Sequence, residues 1–191
     1  MDLLTLHIIH NSDDIRRLYQ LEIELTVQGI DNYFLWDAIY DERGTFQGIN
    51  KAHKQIVRWA KENELPFVTI AEDDLHFFDV GAYKYYLKHE PTIYDLYLGG
   101  IFLGELDEKN ITKNFTGLTL YRIAKQYYDT FLEADENQHL DIALCQKGGL
   151  FKVCNPFVVK QHNGYSTNEK RYMNYDFMFA NRNIYKFTVP N

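Results

Sequence analysis

Only two cysteines and four prolines occur in the 191 residues. Cys145 and Cys154 stand at no metal-ligand spacing from nearby histidines, so two free thiols in a reducing compartment are expected. No apolar run approaches the roughly 20 residues of a membrane helix, so no transmembrane segment is expected. The opening Met1–His10 carries no basic leader, so a signal peptide is not expected either. A cytoplasmic protein follows, with peripheral membrane association left open. Positive charge is also short: 20 Lys and Arg face 27 Asp and Glu, for a formal net charge of −7. Such a chain is a poor match for a phosphate backbone, so nucleic acid is not an expected partner. GxGxxG, P-loop, GxSxG and CxxC patterns are all missing, which weighs against dinucleotide, P-loop and serine-hydrolase chemistry.

Apolar residues make up 46% of the chain, enough for one substantial core, and the length favours a single domain over residues 1–191. Tyrosine (15) and phenylalanine (13) are abundant. Such side chains suit sugar or base contacts as well as a core. Residues 168–191, rich in Tyr, Phe and Asn, form an extension that either covers an acceptor side or mediates self-association. Leu3–His10 reads as a buried strand, followed by a helix from about Asp14 to Gln28, capped by Ser12 or Asp13 and stopped at Gly29. Tyr33–Ala38 reads as a strand and Gln47–Asn63 as a helix that Pro66 terminates. Phe67–Ala71 lacks alternation, as a strand covered on both faces would. Asp95–Leu98, Leu118–Tyr121, Leu150–Val153 and Phe157–Gln161 are further strands. Ile123–Leu132 and Leu140–Gln146 are further helices. The alternation predicts an α/β fold with a mostly parallel central sheet flanked by helices, whose ligands bind beyond the carboxyl ends of the strands.

Glu72-Asp73-Asp74 sits at such an end. Three adjacent carboxylates after a buried strand are costly unless a cation or water relieves them. If the strand geometry continues, Glu72 and Asp74 point one way and Asp73 the other. Two hard oxygen donors on one side begin a Mg²⁺ or Mn²⁺ site. A solvated acidic turn accounts for the same residues. His162, at a strand end beside Asn163-Gly164, is either a surface loop residue or a metal ligand. Asp141 is either a helix-capping residue or a general base. His53 lies on the apolar side of its helix, and Lys51 and Lys54 beside it are either solvated or face a diphosphate.

Several segments, in order over residues 6–166, resemble glycosyltransferase family 25, the lipopolysaccharide and collagen-type galactosyltransferases. Leu6–Ser12 with Arg16-Arg17 looks like that family's first strand and following turn. Trp36-Asp37-Ala38-Ile39 is similar to its second strand. Gly48–Ile56 resembles its Gly-x-x-x-Ser-His helix start, with Ala52 in place of the Ser. Phe67–Asp74 resembles its Glu-Asp-Asp strand end, Gly117–Tyr121 and Asp141 match later elements, and Asn155-Pro156 with Gln161 and Ser166 looks like its closing stretch. The resemblance implies a GT-A fold and an inverting, Mn²⁺-dependent (or Mg²⁺-dependent) hexosyl transfer from a nucleotide-diphosphate sugar, UDP-hexose above all, to a glycan hydroxyl. It implies Asp74, Glu72 and His162 as metal ligands and Asp141 as base. Asn11, Trp36, Asp37, Lys51, His53, Glu72 and Asp73 are implied donor contacts. The altered Ser position leaves a catalytically inactive, glycan- or nucleotide-binding relative as the alternative.

Overall fold

The computed structural model describes residues 3–166 and 170–188. The chain forms, in order, β1 (Leu6–His10), α1 (Ile15–Gln28), β2 (Tyr33–Asp37), α2 (Thr45–Glu62), β3 (Phe67–Glu72), β4 (Leu75–Phe77) and α3 (Ala82–Lys88). There follow β5 (Leu96–Leu98), β6 (Ile111–Thr112), β7 (Leu120–Ala124), α4 (Tyr128–Leu132), α5 (Leu140–Lys147), β8 (Phe151–Val153), β9 (Val159–Gln161), β10 (Gly164–Ser166), β11 (Arg171–Met173) and α6 (Tyr175–Phe179). Seven strands make one sheet in the order β2-β1-β3-β7-β5-β8-β6. Strands β1, β2, β3, β5 and β8 share one direction, while β7 and β6 oppose their neighbours. The mostly parallel α/β sheet expected from the alternation is therefore present, with one reversed strand at its centre.

Local chemistry explains the boundaries. The Asp14 side chain accepts from the Arg17 amide at 3.1 Å, so the cap of α1 is Asp14 rather than Ser12 or Asp13. Gly29 takes φ 66°, and its N–H closes the helix onto Leu25 and Thr26. In α2, a Cβ on Gly48 would sit 2.1 Å from the Ile39 carbonyl oxygen, so only glycine lets this helix start against the loop after β2. The helix expected from Ile123 starts later, at Tyr128. Ile123 and Ala124 pair with Val68 and Phe67, and this central ladder outweighs the helical spacing.

Each face of the sheet carries its own core. Ile56, Val57 and Ala60 of α2 pack with Val68, Ile70, Tyr121 and Phe131 on one side. Leu21 and Leu25 of α1 pack with Ala71, Leu75, Tyr83 and Tyr86 on the other. Strand β3 feeds both, which is why its sequence shows no alternation. Residues 168, 169 and 189–191 of the C-terminal extension lie outside the described residues. In the rest, β11 pairs with β10, and Phe179 packs its ring against Phe78, Phe102 and Phe157.

At the edge of the sheet an aromatic cluster gathers His7, Phe34, Trp36 and Trp59, with the His7 and Trp59 ring centroids 4.7 Å apart. The Trp36 indole N–H donates to His7 Nδ1 at 3.0 Å, a bond that requires neutral imidazole at that nitrogen. Burial holds the His7 pKa down, from 6.5 to about 4. The unfolded chain therefore binds this proton first as pH falls, so the stability it contributes is complete above 6.5 and lost progressively towards 4. Urea denaturation at pH 7 and pH 4.5 should show a loss of about 2–3 kcal/mol from this site. His7→Gln, which keeps an acceptor for Trp36, should shrink the pH difference by that amount; an unchanged difference would refute the assignment.

Candidate active site

The triplet stands where β3 leaves the sheet. The Glu72 amide still donates to the Thr119 carbonyl at 3.0 Å, and the chain then turns at Asp73-Asp74 into β4. Because the strand ends there, the three carboxylates take three different environments instead of alternating.

Asp73 is buried and faces α1. Its Oδ2 accepts from His10 Nδ1 at 3.0 Å and from the Asn11 amide at 2.9 Å, and its Oδ1 accepts from Arg17 Nη1 at 2.7 Å. Both oxygens thus bind β1 and α1 together. Glu72 turns towards α2 and β9. Gln161 Nε2 donates to its Oε2 at 2.7 Å, and His53 Nε2 lies 3.5 Å from its Oε1. His53, 1% exposed, is held from behind at 2.9 Å by the Tyr121 hydroxyl. Burial raises the Glu72 pKa, but His53, Gln161 and Arg17 outweigh it and hold the carboxyl below its usual range.

Asp74 differs from both. Its Oδ2 is 3.5 Å from Arg17 Nη2, while its Oδ1 is buried with no hydrogen-bond partner among the described residues. Burial and the neighbouring Glu72 charge push its pKa well above the carboxylate range, and Arg17 offsets this only in part. Arg16, Arg17 and Gln20 of α1 face Asp74, His162 and Tyr165 across a narrow cleft. The His162 amide donates to the Asp74 carbonyl at 2.7 Å, as an extension of the β4–β9 pairing. The His162 ring, however, is turned to Glu24, with Nε2 3.1 Å from Oε1, and His76 Nδ1 reaches the same oxygen at 2.6 Å. Burial raises the Glu24 pKa, but the two imidazoles and the Phe77 amide outweigh it and hold the carboxyl down to about 2.

The other expected residues divide. Asn11 and Asp37 lie at the carboxyl ends of β1 and β2, and Asn11 Oδ1 accepts from the Tyr40 hydroxyl at 2.9 Å. Trp36 joins the aromatic cluster because its N–H finds His7. The Lys51 ammonium is 2.6 Å from Asp41 Oδ2 and half-exposed, while the buried Lys54 ammonium donates to the Ala134 carbonyl at 2.6 Å. Asp141 Oδ2 accepts from the Gly117 amide at 2.9 Å, and its Oδ1 from the Ile142 amide at 2.8 Å. This fixes its carboxylate at the start of α5 against the segment that also meets Glu72 through Thr119.

Glu24 and His76 stand outside the expected set. Glu24 lies three residues from Leu21 and beside Leu25, on the buried face of α1, and an acid at that helical position was the available signal. His76 had none, since β4 has only three residues. A further surface concavity lies at the other end of β3, beside Phe67, and its one carboxylate, Glu90, is paired with Arg122 and Tyr94.

No protein-family model matches the chain, and no curated protein matches it in sequence. Solved structures do match in fold. A197 from STIV superposes with a TM-score of 0.58 at 10% identity, covering 98% of this chain and 97% of that one. A Drosophila β-1,4-galactosyltransferase 7 variant, in complex with manganese, UDP-Gal and xylobiose, gives 0.51 at 9% identity, covering 96% of this chain and 76% of that one. HddC from Yersinia pseudotuberculosis gives 0.52 at 13% identity over 78% and 89%. The fold is of the GT-A type. In this fold the triplet, the cleft of Asp74 and the ends of β1 and β2 occupy the carboxyl side of the sheet, where α/β proteins bind their ligands. No described helix is long and apolar enough to cross a membrane.

Proposed function

We propose that this chain transfers a sugar from a nucleotide-diphosphate donor, most specifically a UDP-hexose, to a glycan hydroxyl with inversion, using a divalent cation held at Asp74. The observation that carries the proposal is the buried Asp74 Oδ1 at the end of β3, without a partner among the described residues and subject to the charges of Glu72 and Arg17. A buried carboxylate with an open lone pair and a like charge nearby is the chemistry that a hard cation such as Mn²⁺ or Mg²⁺ relieves. The ordered resemblance to glycosyltransferase family 25 and the manganese and UDP-Gal of the Drosophila structure support the same reading.

When bound, the cation would neutralise charge on the departing diphosphate. The protein does the rest. Asp74 and Glu72 would present the oxygens that hold it, and His162 borders the same cleft. Arg16 and Arg17 supply positive charge beside the diphosphate. Asn11 and Asp37 take the nucleoside side, and Trp36 stiffens that wall from behind. His53 fixes the orientation of Glu72, and Asp73 fixes Arg17. Asp141 accepts the proton of the acceptor hydroxyl while that oxygen bonds to the anomeric carbon and the bond to the diphosphate breaks.

Melting curves with a panel of nucleoside diphosphates and Mn²⁺ test this. A uridine diphosphate compound with Mn²⁺ at 100 times its Kd should raise the Tm by about 5–10 °C, and chelation should remove the shift. Absence of any shift across the panel would refute the proposal. Donor hydrolysis that Asp141→Ala abolishes would separate an active enzyme from a binding relative.

A further inference from the structure

We infer that Glu24, His76 and His162 form a second cation site, separate from Asp74 and suited to a late first-row divalent ion of the zinc class. The three side chains come from α1, β4 and the residue after β9, and their candidate ligand atoms lie within 4.8 Å of one another. Topology brings them together. In the β4–β9 ladder His76 opposes Lys160, so His162, two residues on, projects from the same face. Glu24 then approaches from α1.

Three features favour a metal over a purely protein contact. Glu24 is oriented from behind: the Phe77 amide donates to its Oε2 at 3.1 Å, leaving Oε1 for the two rings. Such an anchor on the far oxygen is how proteins aim a carboxylate ligand. A hydrogen bond accounts for His76 at 2.6 Å, yet His162 Nε2, 3.1 Å from the same oxygen, is buried without an aligned hydrogen-bond partner among the described residues. The ligand set is also selective. Two imidazoles and one carboxylate suit zinc, cobalt or nickel far better than magnesium, and three protein ligands leave a fourth position open. The site would tie the wall formed by His162, Asn163 and Tyr165 to α1, beside the cleft of Asp74.

This inference does not depend on the transfer reading, and its test keeps the two apart. The full chain, stripped with a chelator and dialysed, is titrated with Zn²⁺ against a chromophoric chelator, with Co²⁺ absorption as the report of imidazole ligation. One equivalent is expected. His76→Ala and Glu24→Gln should each weaken binding about 100-fold or more. Glu24→Gln preserves side-chain shape and an acceptor for Phe77, so it remains informative if His76→Ala disturbs the fold. Asp74→Asn should leave the Zn²⁺ affinity within about twofold, since ligand removal elsewhere does not touch these three groups. Failure to bind one equivalent, wild-type Zn²⁺ affinity in both ligand variants, or loss of Zn²⁺ with Asp74→Asn would each overturn the inference. None of these outcomes bears on the Mn²⁺-dependent nucleotide shift, which reports the Asp74 site.

Discussion

Asp74→Asn is expected to reduce donor turnover by about 1,000-fold or more and, in the same protein without metal, to raise the melting temperature. The first effect follows from the cation. Its removal from a leaving diphosphate forfeits several kcal/mol of transition-state stabilisation, and about 4 kcal/mol corresponds to a factor of 1,000. The second follows from the protein alone. Asp74 Oδ1 is buried without a partner among the described residues, Glu72 and Asp73 add like charge, and Arg17 reaches only the other oxygen at 3.5 Å. An amide of the same shape, with its oxygen turned to Arg17, removes that repulsion. A gain of about 1–2 kcal/mol, or roughly 2–8 °C, is expected by analogy with other sites where function is held against stability. Turnover by radiolabelled donor hydrolysis and a melting curve in chelator are the two measurements. Unchanged turnover would sink the metal assignment. A fall in Tm would show that Asp74 is a structural charge, and that the open oxygen is relieved by something other than a cation.

Periodicity gave away the large elements because burial was uniform along them. Helix α2 repeats Ala52, Ile56 and Ala60 on one face, and β3 is apolar on both, so each was readable without knowledge of partners. Reading failed where a contact distant in sequence decides. Strand β7 runs on to Ala124 only because Phe67 and Val68 lie beside it. Strands β4, β6, β10 and β11 have two or three residues each and lack the apolar runs that mark the equally short β5, β8 and β9. The candidate site divides in the same way. Glu72-Asp73-Asp74 was visible because acids after an apolar strand are costly, and His53 because it interrupts an apolar face. The partner of Lys51 was not readable, because its counter-charge, Asp41, sits in a loop ten residues earlier. Glu24 and His76 belong to a trio assembled from three elements, and no linear spacing encodes it.

Asp73→Ala provides the opposite result one residue away: a loss of about 3–5 kcal/mol, or roughly 6–20 °C in Tm. Strict strand alternation would have set Asp73 apart from Asp74 as a matter of direction. The structure sets it apart by its partners, since both of its oxygens accept hydrogen bonds inside the protein. His10, the Asn11 amide and Arg17 Nη1 all donate to it within 3.0 Å. Deleting the carboxylate strands a buried amide and leaves Arg17 only its longer contacts, to Asp74 at 3.5 Å and Asp14 at 3.8 Å. Removal of one partner from such a network costs more than the network contributes when whole, because the remaining groups stay desolvated. The end of β1 and the first turn of α1 lose their common anchor, and Arg17 loses the contact that aims it into the cleft. Turnover should therefore fall together with stability. Asp73→Asn, which can keep the Asn11 or the Arg17 contact but not every donor, should lie between the two. Urea denaturation of the three proteins orders them. A cost below about 1 kcal/mol for Asp73→Ala would mean that Arg17 finds a full replacement in Asp74, and that the two aspartates are a shared pair instead of a scaffold and a ligand.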